Sequence, residues 1–206
     1  LRLSLVGSEM GIRDRAGSSS VGASAKNPAL FYKNNVATTM ALLDKLIAND
    51  IKTFVFSSTA SVYADNDLNK CMETSLTQPR NAYGSSKLAV ESILRDYSRA
   101  YDINCVCLRY FNVAGASQSG NIGEIERSYG HLIKNLAIQS TKLKPKVDIF
   151  GNNYNTKDGT CIRDYIHVSD LANIHFLALK KISSSKKSLI LNCGYGKGYS
   201  VKEIVE

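Results

Sequence analysis

Thr53-Phe54-Val55-Phe56-Ser57-Ser58-Thr59 decides the fold. Its first four residues are a short, nearly continuous apolar run, the pattern of a strand buried on both faces in a parallel sheet. The run stops at three successive hydroxyls. They stand at the carboxyl end of the expected strand, where open α/β sheets receive their ligands. Ser and Thr are also ordinary turn formers, so the hydroxyls alone leave both readings open.

Upstream, Asn27-Pro28 is a helix start, with Asn as cap and Pro at the first helical position. Phe31, Asn35, Thr38, Leu42 and Lys45 or Leu46 follow at helical spacing, and the helix should fade by Asn49-Asp50. Asn34 and Asn35 are poor mid-helix choices. They are either surface amides or side chains required at a particular place. Downstream, a long polar loop runs from Ala64 to Ala82. A helix then opens near Tyr83, with Val90, Leu94, Tyr97 and Tyr101 as its buried face. Cys105 to Tyr110 reads as the next strand. This alternation of helix and strand predicts an α/β fold, a partial Rossmann-type doubly wound parallel sheet with helices on both faces.

Phe111-Asn112 closes that strand, and the Gly/Ser-rich stretch from Gly115 to Gly123 marks a boundary between layers. Beyond it we expect a helix over Leu132–Ile138, a short strand over Val147–Phe150 and a polar turn over Asn152–Gly159. A strand at Leu189–Leu191 should follow. Gly194-x-Gly196-x-Gly198 lacks nucleotide-loop spacing and reads as a turn. Ser200 and Glu203 form a capping box. Leu1–Arg15 shows neither period nor cap and is expected to be a non-native leader.

Composition narrows the function classes. With 206 residues, 44% hydrophobic and 21% charged, the chain fits a soluble globular protein of one domain or slightly more. No apolar run approaches ~20 residues, so no membrane span is expected. Five cysteines, an odd number without a Cys-x-x-Cys, suggest reduced thiols and a cytoplasmic location. Cys105 and Cys107 read as core filler on one strand face. His131, His167 and His175 lack metal-ligand spacing, and no metal is expected. The net charge is +8. Lysines cluster at 142, 144 and 146 and again at 180, 181, 186 and 187. Without a helix–turn–helix, zinc finger or aromatic RNA platform, they read as a solvated face or an attraction for a small anion, and no nucleic acid is expected.

Tyr83-Gly84-Ser85-Ser86-Lys87 carries the chemistry. A spacing of four places both side chains on one helix face. An ammonium nearby favours a phenolate and can lower a phenol from its usual ~10 by ~1–3 units. The pair can therefore exchange protons near neutral pH. The same spacing also occurs in bland surface pairs. Arg163, beside Asp164, Tyr165 and His167, is either a phosphate clamp or a structural ion-pair partner.

Taken together, these stretches resemble the extended short-chain dehydrogenase/reductases, and within them the UDP-glucose 4-epimerase branch. The matching pieces are Val21-Gly22-x-Ser24, Asn34-Asn35-Val36 and Phe56-Ser57-Ser58-Thr59-Ala60-Ser61-Val62-Tyr63. They continue with Tyr83 to Lys87, Leu108 to Asn112, Asp158 to Val168 and Gly198-Tyr199-Ser200-Val201. They stand in order from about Ala16 to Glu206. The resemblance implies three regions: the leader 1–15, a partial NAD-binding Rossmann domain 16–112, and a mixed region 113–206. That last region holds part of a UDP-sugar site and segments returning to the Rossmann domain.

It also implies roles. Thr59, Tyr83 and Lys87 would be catalytic. Asn34, Ser57, Ser58, Tyr83, Lys87, Tyr110 and Phe111 would line NAD. Thr59, Tyr83, Asn112, His131, Leu132, Phe150, Arg163 and Tyr165 would face the UDP-sugar. A homodimer through the helix after Tyr83 is implied for the full-length enzyme. The implied reaction moves a hydride from the sugar C4 to NAD and back through a 4-keto sugar, with Tyr83 as base and acid.

Departures from the pattern are informative. No Gly-x-x-Gly-x-x-Gly turn, the family's pyrophosphate seat, occurs in the sequence. Ser19 stands where a cofactor-contacting lysine is usual, and Ala82 replaces the proline before Tyr83. The chain is therefore expected to be a fragment, inactive by itself and a poor NAD binder. Ala60-Ser61 after Thr59 excludes the Asp-Glu pair of a 4,6-dehydratase. An epimerase or reductase for UDP-N-acetylhexosamines or UDP-pentoses, or a non-catalytic nucleotide-sugar-binding module, stays open.

Overall fold

The computed structural model describes residues 17–64, 70–125 and 131–206. The expected leader and part of the loop after Ala64 lie outside them. The order opens with α1 (Val21–Lys26), α2 (Pro28–Tyr32), a π-helical segment (Lys33–Ala37) and α3 (Thr38–Ala48). Next come β1 (Thr53–Ser57), a 3-10 turn (Ala60–Val62), α4 (Ala82–Tyr101), β2 (Asn104–Tyr110) and β3 (Asn112–Ala114). The chain continues with α5 (Leu132–Ser140), β4 (Ile162–His167), α6 (Val168–Ser185), β5 (Leu189–Cys193), β6 (Gly198–Ser200) and α7 (Val201–Val205).

β1, β2 and β5 form a parallel sheet in the order β1-β2-β5, with Phe54 opposite Cys105 and Val106 opposite Leu189. Side chains alternate across β2 with the two-residue period of a strand. Cys105 and Cys107 join Leu43, Leu46, Phe56, Val90, Leu94 and Ile103 in one apolar cluster beneath α3 and α4. Val106 and Leu108 join Ile166, Leu171, Ala178, Ile182 and Cys193 in another beneath α6. Helices thus cover both faces, as the alternation of elements requires. Each fully buried aliphatic side chain contributes roughly 1.5–3 kcal/mol. Among the described residues β1 pairs only with β2, and only Phe56 is buried along it, not the whole run.

A second sheet has the order β3-β4-β6. β3 runs parallel to β4, with Asn112 opposite Tyr165, and β6 runs antiparallel to β4. The chain therefore leaves the first sheet at Tyr110 for β3 and β4, returns through α6 to β5, and then adds β6 to the second sheet.

Three expectations change, and one helix, α6, falls outside them. The helix after Asn27 does start there, its cap accepting from the Leu30 amide and Pro28 at the first position. However, the π-helical segment inserts one residue into the repeat. Beyond it the buried face turns: Leu42 is 46% exposed and Leu43 is fully buried. Tyr101, expected on the buried side of α4, is largely exposed at the helix end. Val147–Phe150 is not a strand, and no described strand pairs with it; Phe150 is 88% exposed. The 18-residue helix α6 follows β4 without a connecting loop, so no turn signal announces it. The capping box at Ser200 and Glu203 is present.

The shifted register has a direct test. Leu43→Ala should destabilise the fold by about 2–5 kcal/mol, whereas Leu42→Ala should stay within about 0.5 kcal/mol. Urea unfolding midpoints of the two variants measure the difference.

Candidate active site

The carboxyl ends of β1 and β2 and the first turns of α4 frame a crevice above the first sheet. Asn81 caps α4, its side-chain oxygen accepting from the Gly84 amide at 2.8 Å. This starts the helix one residue before Tyr83, which is buried. A Cβ on Gly84 would overlap the Ser61 carbonyl oxygen and come within 2.9 Å of Pro79 Cβ. Glycine here lets the first turn of α4 lie directly against the 3-10 turn that follows Thr59. Thr59 itself is buried, and its hydroxyl oxygen accepts from the Ser61 amide at 3.1 Å.

One helical turn beyond Tyr83, the Lys87 ammonium donates to the Ser57 carbonyl at 3.1 Å and stands 4.9 Å from the Phe56 ring centroid. The Ser57 hydroxyl lies 3.3 Å from His175 Nε2. His175 Nδ1 is 2.8 Å from the Leu171 carbonyl. A carbonyl only accepts, so Nδ1 carries a proton and donates to Leu171. Tyr110 lies beside the same imidazole, the ring centroids 6.4 Å apart. Phe111 borders Gly194, where a Cβ would meet its ring at 3.0 Å.

The two mid-helix asparagines serve the site. Asn35 is buried and donates to Ser86 Oγ at 2.8 Å, while Ser86 donates to the Tyr83 carbonyl. Asn35 also exchanges hydrogen bonds with the Ser18 backbone, and Asn34 donates to Ser18 Oγ at 3.0 Å. Both amides lie in the π-helical segment, and Asn35 is the one that reaches α4.

Ser58 is fully buried, and its hydroxyl donates to Glu91. Glu91 and Arg109 form a buried ion pair, with Nη2 to Oε2 at 2.5 Å and Nε to Oε1 at 3.0 Å. Arg109 Nη1 donates to the Tyr63 hydroxyl at 3.1 Å and to the Glu73 carbonyl at 3.3 Å. Tyr63 donates to Asn192 Oδ1 at 2.6 Å. Burial pulls the guanidinium down, but its bonds to Glu91 and Tyr63 outweigh burial and hold it above its ordinary value. Burial, as the largest influence, raises the Tyr63 phenol.

Asn112 and Tyr165 are brought side by side by strand register. Arg163, two residues before Tyr165 on β4, shares its face and is exposed, donating to the Ile162 carbonyl at 2.8 Å. Burial raises the Tyr165 phenol. His131 is exposed at the start of α5, its Nδ1 2.8 Å from Glu124 Oε1, and Leu132 follows it half-buried. Phe150 stands in no regular element. Lys87 thus meets Ser57 at the end of β1, with Thr59 two residues on and Tyr83 one helical turn before Lys87, whereas His131, Leu132 and Phe150 belong to neither sheet. Among the described residues no group of three His, Cys, Asp or Glu side chains is placed to hold a metal ion.

Sequence reading missed His175 and the Glu91–Arg109 pair. A signal existed: Glu91 interrupts the apolar stripe of α4 between Val90 and Leu94, and Arg109 interrupts an apolar strand.

Comparison with known proteins assigns the chain to a family. The NAD dependent epimerase/dehydratase family model matches residues 11–194, and the chain belongs to that family. A UDP-glucose 4-epimerase of Halalkalibacterium halodurans is 46% identical over 191 residues, 93% of this chain and 57% of that protein. The UDP-glucose 4-epimerase of Brucella ovis, solved in complex with NAD, superposes with a TM-score of 0.87 at 39% identity. It is matched over 92% of this chain and 58% of its own. The Bifidobacterium longum enzyme, solved with NAD+ and UDP, gives 0.82 at 36% identity over 95% of this chain and 61% of its own. The chain therefore spans somewhat more than half the length of these relatives.

Two predictions concern the site's framework. Gly84→Ala should push α4 off the 3-10 turn and lower the urea midpoint by an amount equivalent to about 1–3 kcal/mol. Asp158 accepts from the Ser200 hydroxyl and from the amide and hydroxyl of Thr160, and these bonds hold its carboxyl at about 2 instead of 3.8. A depressed carboxylate adds stability above its unfolded value, and this is lost as pH falls through the folded one. Urea midpoints should therefore fall between about pH 4 and pH 2, and less steeply in Asp158→Asn.

Proposed function

We propose that the protein containing this chain is a UDP-glucose 4-epimerase, interconverting UDP-glucose and UDP-galactose with NAD as a resident cofactor. The carrying observation is the contact of Lys87 with the Ser57 carbonyl. It sets the cation at the mouth of a parallel sheet, one turn from Tyr83, with Thr59 across the crevice. Hydroxyl and ammonium donors at that end of a parallel sheet suit a nicotinamide ribose. The relatives named above support the same reading.

NAD, when bound, supplies the hydride acceptor and donor. Tyr83 takes the proton of the sugar 4-hydroxyl and returns it, and the positive charge of Lys87 stabilises its phenolate form. Thr59 accepts from the Ser61 amide, which turns its own O–H toward the reacting oxygen. Asn35 fixes Ser86, and Ser86 fixes the backbone of Tyr83. Ser57, Asn34, Tyr110 and Phe111 border the cofactor, and Ser58, fully buried against Glu91, stands behind them instead of lining NAD. Asn112, Arg163 and Tyr165 face the UDP-sugar, with Arg163 on the diphosphate and His131, Leu132 and Phe150 at the periphery.

The protein acts as a homodimer through α3 and α4, where Met40, Leu42 and Tyr101 are exposed apolar groups. Its location is cytoplasmic, which suits five free cysteines. Among the described residues no helix is long and apolar enough to cross a membrane.

The full-length protein should convert UDP-galactose to UDP-glucose, and Tyr83→Phe should lower turnover by about 10²–10⁴-fold while UDP binding persists. A coupled assay and calorimetric titration with UDP read both. A full-length protein without turnover, or a Tyr83→Phe variant as fast as the parent, overturns the reading.

A further inference from the structure

Glu91 and Arg109 do more than fill the interior. Their side chains are 3% and 4% exposed, and taking both charges out of water costs several kcal/mol per ion. Well-packed apolar residues can match a buried pair in stability, so stability alone does not account for it. What the pair touches does. Glu91 lies one turn beyond Lys87 on the same stripe of α4. Lys87 holds the carbonyl of Ser57, and Glu91 holds the hydroxyl of Ser58. Successive turns of one helix thus grip successive residues at the end of β1.

On the other side, Arg109 holds the Tyr63 hydroxyl at 3.1 Å and carries its guanidinium 4.9 Å from the Tyr63 ring centroid. The short segment Thr59–Val62 is therefore held at both ends by one ion pair, through Ser58 before it and Tyr63 after it. Its own bonds are short-range: Thr59 Oγ accepts from the Ser61 amide at 3.1 Å, the Thr59 carbonyl from the Val62 amide at 3.4 Å, and the Ala60 carbonyl from the Tyr63 amide at 3.1 Å, with Val62 buried between the two clamps.

We propose that Glu91 and Arg109 are positioning residues that set the Thr59 hydroxyl against Tyr83 by clamping Ser58 and Tyr63. The proposal rests on the epimerase reading for its catalytic consequence and on the clamp geometry for its structural one. Misplacement of a reacting group by about 1 Å costs up to ~10²-fold in rate, so a loosened clamp should act on kcat.

The test uses the full-length protein and variants that spare the ion pair. Ser58→Ala and Tyr63→Phe each remove one clamp, and each should lower kcat by about tenfold with KM for UDP-galactose changed less than about twofold. Amide hydrogen exchange over residues 60–63 should accelerate about tenfold in both, while exchange in α4 stays as in the parent. The apolar double variant Glu91→Leu, Arg109→Met avoids leaving a lone buried charge. It should remain folded by circular dichroism and show both losses at once. Folded variants with parental kcat and parental exchange over 60–63 overturn the clamp. If the parent itself has no turnover, the epimerase reading fails, and the exchange measurement still decides the clamp.

Discussion

Two opposite charges buried between α4 and β2 form the joint on which the described structure hangs. Glu91 and Arg109 meet across 18 residues of sequence, at a place where neither could stay alone. Through Ser58, Tyr63, Glu73 and Asn192 the pair reaches the end of β1, the 3-10 turn, the crossover segment and β5. Most of the apolar core could form around many arrangements of these strands. The pair accepts few, because a guanidinium fork and a carboxylate demand both distance and plane.

The crevice above the sheet inherits that definition. Helix α4 delivers Tyr83, Lys87 and Glu91 at intervals of four; Lys87 meets the Ser57 carbonyl and Glu91 the Ser58 hydroxyl. Gly84 allows the helix to touch the 3-10 turn without a side chain between them. Asn35 reaches Ser86 from a different helix, across 51 residues. The donors and acceptors are therefore ordered before any ligand arrives, and preorganisation of this kind is what proton transfer needs.

Much of this was legible beforehand, because local periods carried it. The apolar run ending in Ser57-Ser58-Thr59, the capped helix at Asn27 and the capping box at Ser200 each announce themselves within a few residues. Other features are long-range and leave weaker traces. The π-helical segment reflects the tertiary bonds of Asn34 and Asn35, so Leu43 replaced Leu42 on the buried face. Val147–Phe150 has a strand's composition but no described strand to pair with, and composition alone does not supply one. Glu91 and Arg109 look like interruptions of apolar stripes until the fold brings them together.

The loop-free passage from β4 into α6 has a mechanical consequence. Arg163 and Tyr165 sit on β4, in the second sheet, while α6 lies under the first and carries His175 to Ser57. With His167 capping the helix through the Ser169 amide, only a single peptide junction separates strand from helix. A hinge needs residues whose dihedrals can change freely, and none is provided there. The strand that carries Arg163 and the helix that carries His175 are thus joined as one continuous piece, with no slack residue between the two sheets they serve.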